Sequence, residues 1–346
     1  MGLGASLRIY IAVVLGVCLP VVAHAFEAPS SIRPASTFLF DPKPLAITVR
    51  LWGGYDSNYP LVADAPTYWD PAGETESPVA GATFNLSTFH RFNTFNQIGA
   101  NVRIDGVTYT ANGNAGLANA SVGSEYDLFV VNPSIFYRTI LPMPIANHLT
   151  LTYGLRTEIG HNIEAIGLGS RQFDARVDIL ASKDWSFFAD IYTTHDDFSV
   201  TFANPDSNRD GEYLSISAGG RYSFNSQHSS MGFSGGRVEN NAKGRNWDFD
   251  GWFVSGDLRS VLANRLSGHV GLRYEDRDYR GGFIPDVGAP GRTSEQITTV
   301  DAGMVYVLDE IFSVDAGVSY QNVDGNMPAF SSSRWKATVG LTAKVK

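Results

Sequence analysis

The sequence predicts an all-β chain, a transmembrane antiparallel up-and-down β-barrel of about 14 strands, and three observations carry that reading. The first is strict alternation: in Phe312-Ser313-Val314-Asp315-Ala316-Gly317-Val318-Ser319-Tyr320-Gln321 every second side chain is apolar. Side chains on a strand point to opposite faces with a period of two, so one face of this segment suits an apolar medium and the other suits water. The second is recurrence, because similar segments fill most of the 346 residues, whereas no run after residue 25 is apolar enough for a spanning helix. The third is that short and long connections alternate, as periplasmic turns and extracellular loops do in barrels that cross an outer membrane.

The elements follow in order. Arg8 supplies a positive n-region, Ile9 to Val22 an apolar core, and Ala23-His24-Ala25 an A-x-A cleavage site, so residues 1–25 read as a signal peptide. The single cysteine, Cys18, lies inside that segment, and Leu15-Gly16-Val17-Cys18 matches a lipoprotein box only weakly because the position before the Cys is usually small. The processed chain then has no thiol and crosses an oxidising periplasm without side reactions. Residues 26–44 form a Pro-rich periplasmic lead, and the barrel occupies 45–346.

Strands are expected at 45–57, 82–95, 97–110, 125–140, 148–161, 168–182 and 185–200 in the first half. The second half adds 212–225, 229–240, 248–262, 265–279, 295–308, 311–322 and 333–345. Short links fall at Asn96, Lys183-Asp184, Ala263-Asn264 and Asp309-Glu310. Longer links rich in Gly, Asn, Asp and Pro fall at 58–81, 111–124, 201–211, 241–247, 280–294 and 323–332. Strand 229–240 and the strand containing Pro133 are the least regular, and merging them with neighbours would reduce the count to 12.

Clean alternation assigns the faces. Leu149, Leu151, Tyr153 and Leu155 point to lipid, as do Phe173, Val177, Ile216, Val270, Leu272, Met304 and Leu341 on other strands. Trp185, Trp252, Phe312 and Trp335, near strand ends, suit interfacial aromatic girdles. The opposite face carries the charges, since an Arg or Lys in lipid costs about 2–4 kcal/mol near the midplane. The lumen-lining candidates are Arg50, Arg103, Arg156, Glu158, Asp174 and Arg176 in the first half. Asp178, Asp190, Arg221, Asp257 and Arg259 follow, then Arg273, Glu275, Asp301 and Asp315. Their signs nearly balance, so Arg and Asp or Glu on neighbouring strands are expected to pair across the wall, with Arg156, Arg176, Arg221 and Arg273 facing Asp174, Asp178 and Asp301. The inward aromatics Trp52, Phe188, Tyr192, Tyr213 and Phe253 either stack sugar rings or fill space.

Other motifs carry little chemistry in this setting. Gly232-Phe233-Ser234-Gly235-Gly236 matches G-x-S-x-G, but that motif makes a nucleophile only at a strand-to-helix elbow, and here the glycines mark close approach of strands. His195-Asp196-Asp197 near a strand's upper end offers acid and imidazole groups for water activation, or else a solvated loop edge. Asp206, Asn208 and Asp210 have the D-x-[DN]-x-[DN]-G spacing of a calcium loop, although Ser217 stands where the bidentate Glu belongs. No cofactor other than that calcium is expected, and a net charge of −9 excludes nucleic acid as a partner.

The first strand and its continuation, Val49-Arg50-Leu51-Trp52-Gly53-Gly54-Tyr55-Asp56-Ser57-Asn58, resemble a recurrent opening of Gram-negative barrels. A similar "GYDSN" segment occurs in exopolysaccharide-operon outer-membrane barrels and in the barrel part of surface lipoprotein assembly modifiers. The resemblance spans about ten residues plus the general plan, and no tetratricopeptide region precedes it. It implies an outer-membrane location, contact with lipid and lipopolysaccharide, and insertion by the barrel assembly machinery. The C-terminus, Leu341-Thr342-Ala343-Lys344-Val345-Lys346, keeps the alternation but lacks the terminal aromatic typical of such clients, leaving Val345 as last anchor. The function expected is not enzymatic: a passive, porin-like conduit for saccharide or other small polar solutes. The alternatives are a non-conducting barrel that assists exopolysaccharide export or surface assembly, and a hydrolase with its site at the extracellular rim.

Overall fold

The computed structural model describes residues 45–57, 77–109, 128–141, 146–160, 167–198, 205, 208–226, 228–281, 283–284, 289–326 and 331–345. The signal peptide, the Pro-rich lead and Asp206 lie outside the described residues. The strands are β1 Leu45–Asp56, β2 Ser77–Arg91, β3 Asn96–Tyr109, β4 Leu128–Leu141, β5 Ala146–Gly160, β6 Gly167–Leu180, β7 Trp185–Phe198 and β8 Gly211–Phe224. They continue as β9 Ser229–Ala242, β10 Phe249–Ala263, β11 Leu266–Tyr279, β14 Ser294–Val307, β15 Phe312–Gly325 and β16 Ser332–Val345. These 14 strands close into one barrel, each antiparallel to its neighbours, with β1 against β16. The two-residue strands β12 Phe283–Ile284 and β13 Ala289–Pro290 form a separate hairpin in the link after β11.

Each expected strand has its counterpart, and the count is not reduced to 12. Pro133 sits inside β4, and the β4–β5 pairing passes from Val131↔Thr157 to Ser134↔Gly154 without a pair at 132 or 133. A residue without an N–H is accommodated there by a local gap in the ladder. Most boundaries shift by a few residues, and the largest differences surround the second strand, which ends at Arg91 rather than 95. The second strand begins at Ser77 rather than 82, and Asn96 is the first residue of β3 rather than the link. The turn lies at 92–95 because Asn93 Oδ1 accepts from the backbone N–H groups of Phe95 (2.8 Å) and Asn96 (2.9 Å), an Asx turn that alternation does not reveal.

Connections at one end of the barrel are of four residues or fewer, while those at the other end are longer. The β8–β9 turn places Asn225 and Ser226 at φ 51° and 54°, the paired left-handed conformations of a tight hairpin. In the β14–β15 turn Asp309 Oδ1 accepts from the N–H groups of Ile311 (2.8 Å) and Phe312 (2.7 Å). Those two backbone bonds hold the Asp309 carboxyl below its ordinary value. Its contribution to stability is therefore present above the unfolded-state pKa and is lost as pH falls through the folded one. In urea unfolding, Asp309→Ala is expected to be less stable than the parent at pH 7, with the difference vanishing at acid pH. A difference that persists unchanged at acid pH contradicts this role for the carboxylate.

The outward face is apolar through the middle of the barrel, where Ile191, Ile216, Val254, Leu258, Val270, Leu272 and Val339 are exposed. Aromatic rings flank this band. At the short-turn end Trp185 packs against Tyr222 (4.9 Å) and stacks on Phe187 (5.8 Å). At the long-loop end Tyr55 packs on Trp335 (5.1 Å) and Trp252 on Tyr274 (5.5 Å). An apolar belt between two aromatic girdles, around a closed sheet with no free edge, is the arrangement that a barrel in an outer membrane requires. Among the described residues no helix is long and apolar enough to cross a membrane; the crossing is made by strands.

Candidate functional site

The inner face encloses a cavity of about 890 Å³. Arg50, Arg103, Arg156, Asp174, Arg176, Asp190, Arg273, Asp301 and Asp315 line it. Glu158, Asp178, Arg221, Asp257, Arg259 and Glu275 share the inner face of their strands and act as ion-pair partners within the wall. The cavity also takes in Asn132, Gln172, Lys336 and His269. Their inward parity is readable in the sequence, but a neutral amide or a lone His gives no charge signal to select it.

Much of the pairing lies within single strands rather than across the wall as expected. Arg103 pairs with Asp105, Arg156 with Glu158, Arg176 with Asp178, Arg259 with Asp257 and Arg273 with Glu275, each two residues apart on one strand. Residues i and i+2 share a face at about 7 Å, a span an Arg side chain covers easily. A charge on an adjacent strand must also match in register. Asp301 accordingly meets His269 of the next strand (3.1 Å) rather than one of the four arginines.

Other ion pairs do join strands, Arg334–Asp56 across β16 and β1 and Arg277–Glu295 across β11 and β14 among them, and two of those described span three strands. Arg221 of β8 reaches Asp257 of β10 (Nη2–Oδ1 2.9 Å) over Gly232 of β9. Arg50 of β1 reaches Asp315 of β15 (Nε–Oδ1 3.0 Å) over Gly340 of β16. A Cβ at Gly232 would lie 2.3 Å from Asp257 Oδ1, and one at Gly340 would lie 2.8 Å from Arg50 Nε. The absence of a side chain on the middle strand leaves the path for the pair. Gly232 opens the G-x-S-x-G run, so part of that motif has a structural explanation. Ser234 lies within β9 and hydrogen-bonds to Ser255 (Oγ–Oγ 2.6 Å), not to a base.

The inward aromatics are covered by cations. Lys336 Nζ lies 4.6 Å from the Trp52 ring, the Arg176 guanidinium 4.2 Å from Phe188, and that of Arg273 3.8 Å from Phe253. Tyr192 and Tyr213 pack edge to face at 6.3 Å. The rings at Trp52, Phe188 and Phe253 thus hold charged groups flat against the wall through cation–π attraction. A sugar ring would meet guanidinium planes first.

The remaining candidates lie elsewhere. His195 and Asp197 share the outward parity of β7, with Ile191, and their side chains are 46% and 60% exposed. His195 Nε2 is 3.7 Å from Asp197 and its Nδ1 is 3.4 Å from Glu212, all on the convex outside of the barrel rather than facing the lumen. The alternation of β7 settles this: residues 185, 187, 189 and 191 are exposed, and 195 and 197 follow them. In the 205–210 loop, Asn208 Oδ1 accepts from the N–H of Asp210. Asp210 Oδ1 accepts from Phe198 N–H and its Oδ2 from Lys243, both donors that a cation would have to displace. Partial burial raises the Asp210 carboxyl, but the Lys243 hydrogen bond and the other donors outweigh it and hold the carboxyl below its usual range.

No family model and no curated protein matches this chain. Among solved structures, it is similar to a Pseudomonas aeruginosa FadL homologue, with 10% identity over 89% of this chain and 91% of that one, at a TM-score of 0.46. A mutant of the TodX monoaromatic hydrocarbon channel aligns at 11% identity over 88% of this chain and 91% of that one, at 0.49. The outer-membrane channel DcaP of Acinetobacter baumannii aligns at 11% identity over 86% of this chain and 96% of that one, at 0.45.

Proposed function

We propose that the barrel is a passive conduit in the outer membrane for small polar solutes, saccharides among them. The observation that carries this reading is the cavity of about 890 Å³ inside a closed wall whose polar lining is balanced. The lining carries the cations Arg50, Arg103, Arg156, Arg176, Arg273 and Lys336 and the carboxylates Asp105, Asp174, Asp190, Asp301 and Asp315. A one-signed lining would select counter-ions, whereas a balanced one passes neutral and zwitterionic solutes by size and hydration. A 14-stranded barrel is also wider than the eight-stranded kind that side chains fill. The outer face contacts lipid and lipopolysaccharide, and the mechanism has no covalent step.

One observation favours the second reading, a non-conducting barrel that assists polysaccharide export or surface assembly. Inward side chains at the long-loop end are buried, with Asp56 and Val238 at 0% exposure and Glu295 at 1%.

Swelling of proteoliposomes in isotonic sugars separates the two. A conduit gives swelling that falls from a pentose through a disaccharide to a tetrasaccharide. No swelling in the pentose, from protein whose gel mobility shows it folded, rules the conduit out.

A further inference from the structure

The wall formed by β10, β11 and β14 carries a ladder of guanidinium, ring and carboxylate groups from the cavity to the long-loop mouth. At its lower end Arg273 lies over Phe253 and pairs with Glu275. Arg277 shares Glu275 and lies 4.7 Å over Phe249. Tyr279 donates to Glu295 (2.8 Å), which also pairs with Arg292. Arg292, in the link before β14, lies 4.6 Å over Tyr279 and 5.0 Å over Trp247. Because Tyr279 points inward from β11, this group of loop side chains leans over the lumen rather than toward lipid.

The last rung differs from the rest. Arg209 lies 4.1 Å over the same Trp247 ring, yet no carboxylate among the described residues pairs with it, and its Nε is buried without a hydrogen-bond partner. Burial lowers the Arg209 pKa and the neighbouring charge of Arg292 lowers it further. Among the described residues the nearby carboxylates are engaged: Glu295 by Arg292, Asp248 by Arg280 (2.9 Å) and Asp210 by Lys243 (2.9 Å). Arg245 adds another cation, directed to the Arg280 carbonyl. Arg209 and Arg245 are thus cations that no ion pair among the described residues neutralises. Burying a guanidinium without a counter-charge is costly, and one aromatic face offsets only part of that.

We propose that Arg209 and Arg292, over the Trp247 ring, form an oxyanion site at the mouth that takes the carboxylate or phosphate group of an arriving soluble solute. This rests on the conduit reading and extends it to anionic solutes such as acidic sugars, captured at the mouth before they reach the balanced lumen. Lipopolysaccharide phosphate offers the same chemistry, but the lumenal lean of Arg292 favours a soluble ligand.

Calorimetric titration of the folded, detergent-solubilised protein with glucuronate, and with glucose as neutral control, tests the site. Glucuronate should bind saturably, glucose should not, and inorganic phosphate should compete. Arg209→Gln should weaken glucuronate about tenfold or more, the scale of a lost charge-assisted hydrogen bond. Arg245→Gln, which removes an exposed charge of the Trp247 loop, should change it much less. Equal binding of glucuronate and glucose, or an unchanged affinity in a folded Arg209→Gln protein, overturns the proposal. Displacement of glucuronate by lipopolysaccharide vesicles overturns its assignment to a soluble solute. The titration needs no conduction: a silent barrel that binds glucuronate contradicts only the conduit, and a conducting barrel that ignores it contradicts only the site.

Discussion

Arg334→Met is expected to destabilise the folded barrel by about 3–5 kcal/mol, the range for removing one partner of a buried ion pair. Arg334 of β16 donates from Nε to Asp56 Oδ1 of β1 (2.8 Å) and from Nη2 to the other oxygen, and Nη2 also lies 3.2 Å from Tyr109 Oη of β3. Asp56 is fully buried, so the variant leaves a carboxylate at the β1–β16 seam without the guanidinium that neutralises it. That seam joins the first and last strands, and its opening would expose two sheet edges where no water satisfies them. Urea unfolding in lipid vesicles reads the loss. Arg334→Met combined with Asp56→Leu should recover much of it, because replacing both charges removes the stranded one. A single variant as stable as the parent contradicts this view of the seam.

Gly232→Val should have an effect of similar size. The new Cβ would lie 2.3 Å from Asp257 Oδ1 and 2.8 Å from Arg221 Nη2, so the pair must separate or the three strands must shift. Both side chains are largely buried, and a separated pair costs about 3–5 kcal/mol. The discriminating measurement is a double-mutant cycle. With Arg221→Met and Asp257→Leu already in place, Gly232→Val should cost much less than it does in the parent. An equal cost in both backgrounds means that the glycine serves the backbone of β9 and not the ion pair.

These two sites show how far the sequence can be read. A period of two fixes which side of the sheet each residue occupies, so the inward charges and outward Ile, Leu and Val were legible before any register was known. Register itself is set by closure of the barrel, a property of all strands together. Hence the pairing of Arg50 with Asp315, 265 residues apart, was not legible, nor was the role of Gly232 beneath Arg221 and Asp257. The same limit explains His195 and Asp197: their neighbourhood looked like a rim cluster, while parity with Ile191 places them outside. Arg209, a single Arg in a polar loop, carries no pattern in the sequence. Only the convergence of the loops after β7, β9 and β11 on Trp247 gives it meaning.

The alternation of Phe312–Gln321 resolves into Val314, Val318 and Tyr320 on the lipid side, with Ser313 and Asp315 lining the cavity. A wet interior behind an apolar exterior is the physical core of the account, and current through it is its most direct consequence. The purified protein, inserted into a planar bilayer and bathed in potassium chloride, should produce discrete steps of current that rise linearly with voltage. Complete electrical silence, from protein that shows the heat-modifiable gel shift of a folded barrel, would contradict the conduit.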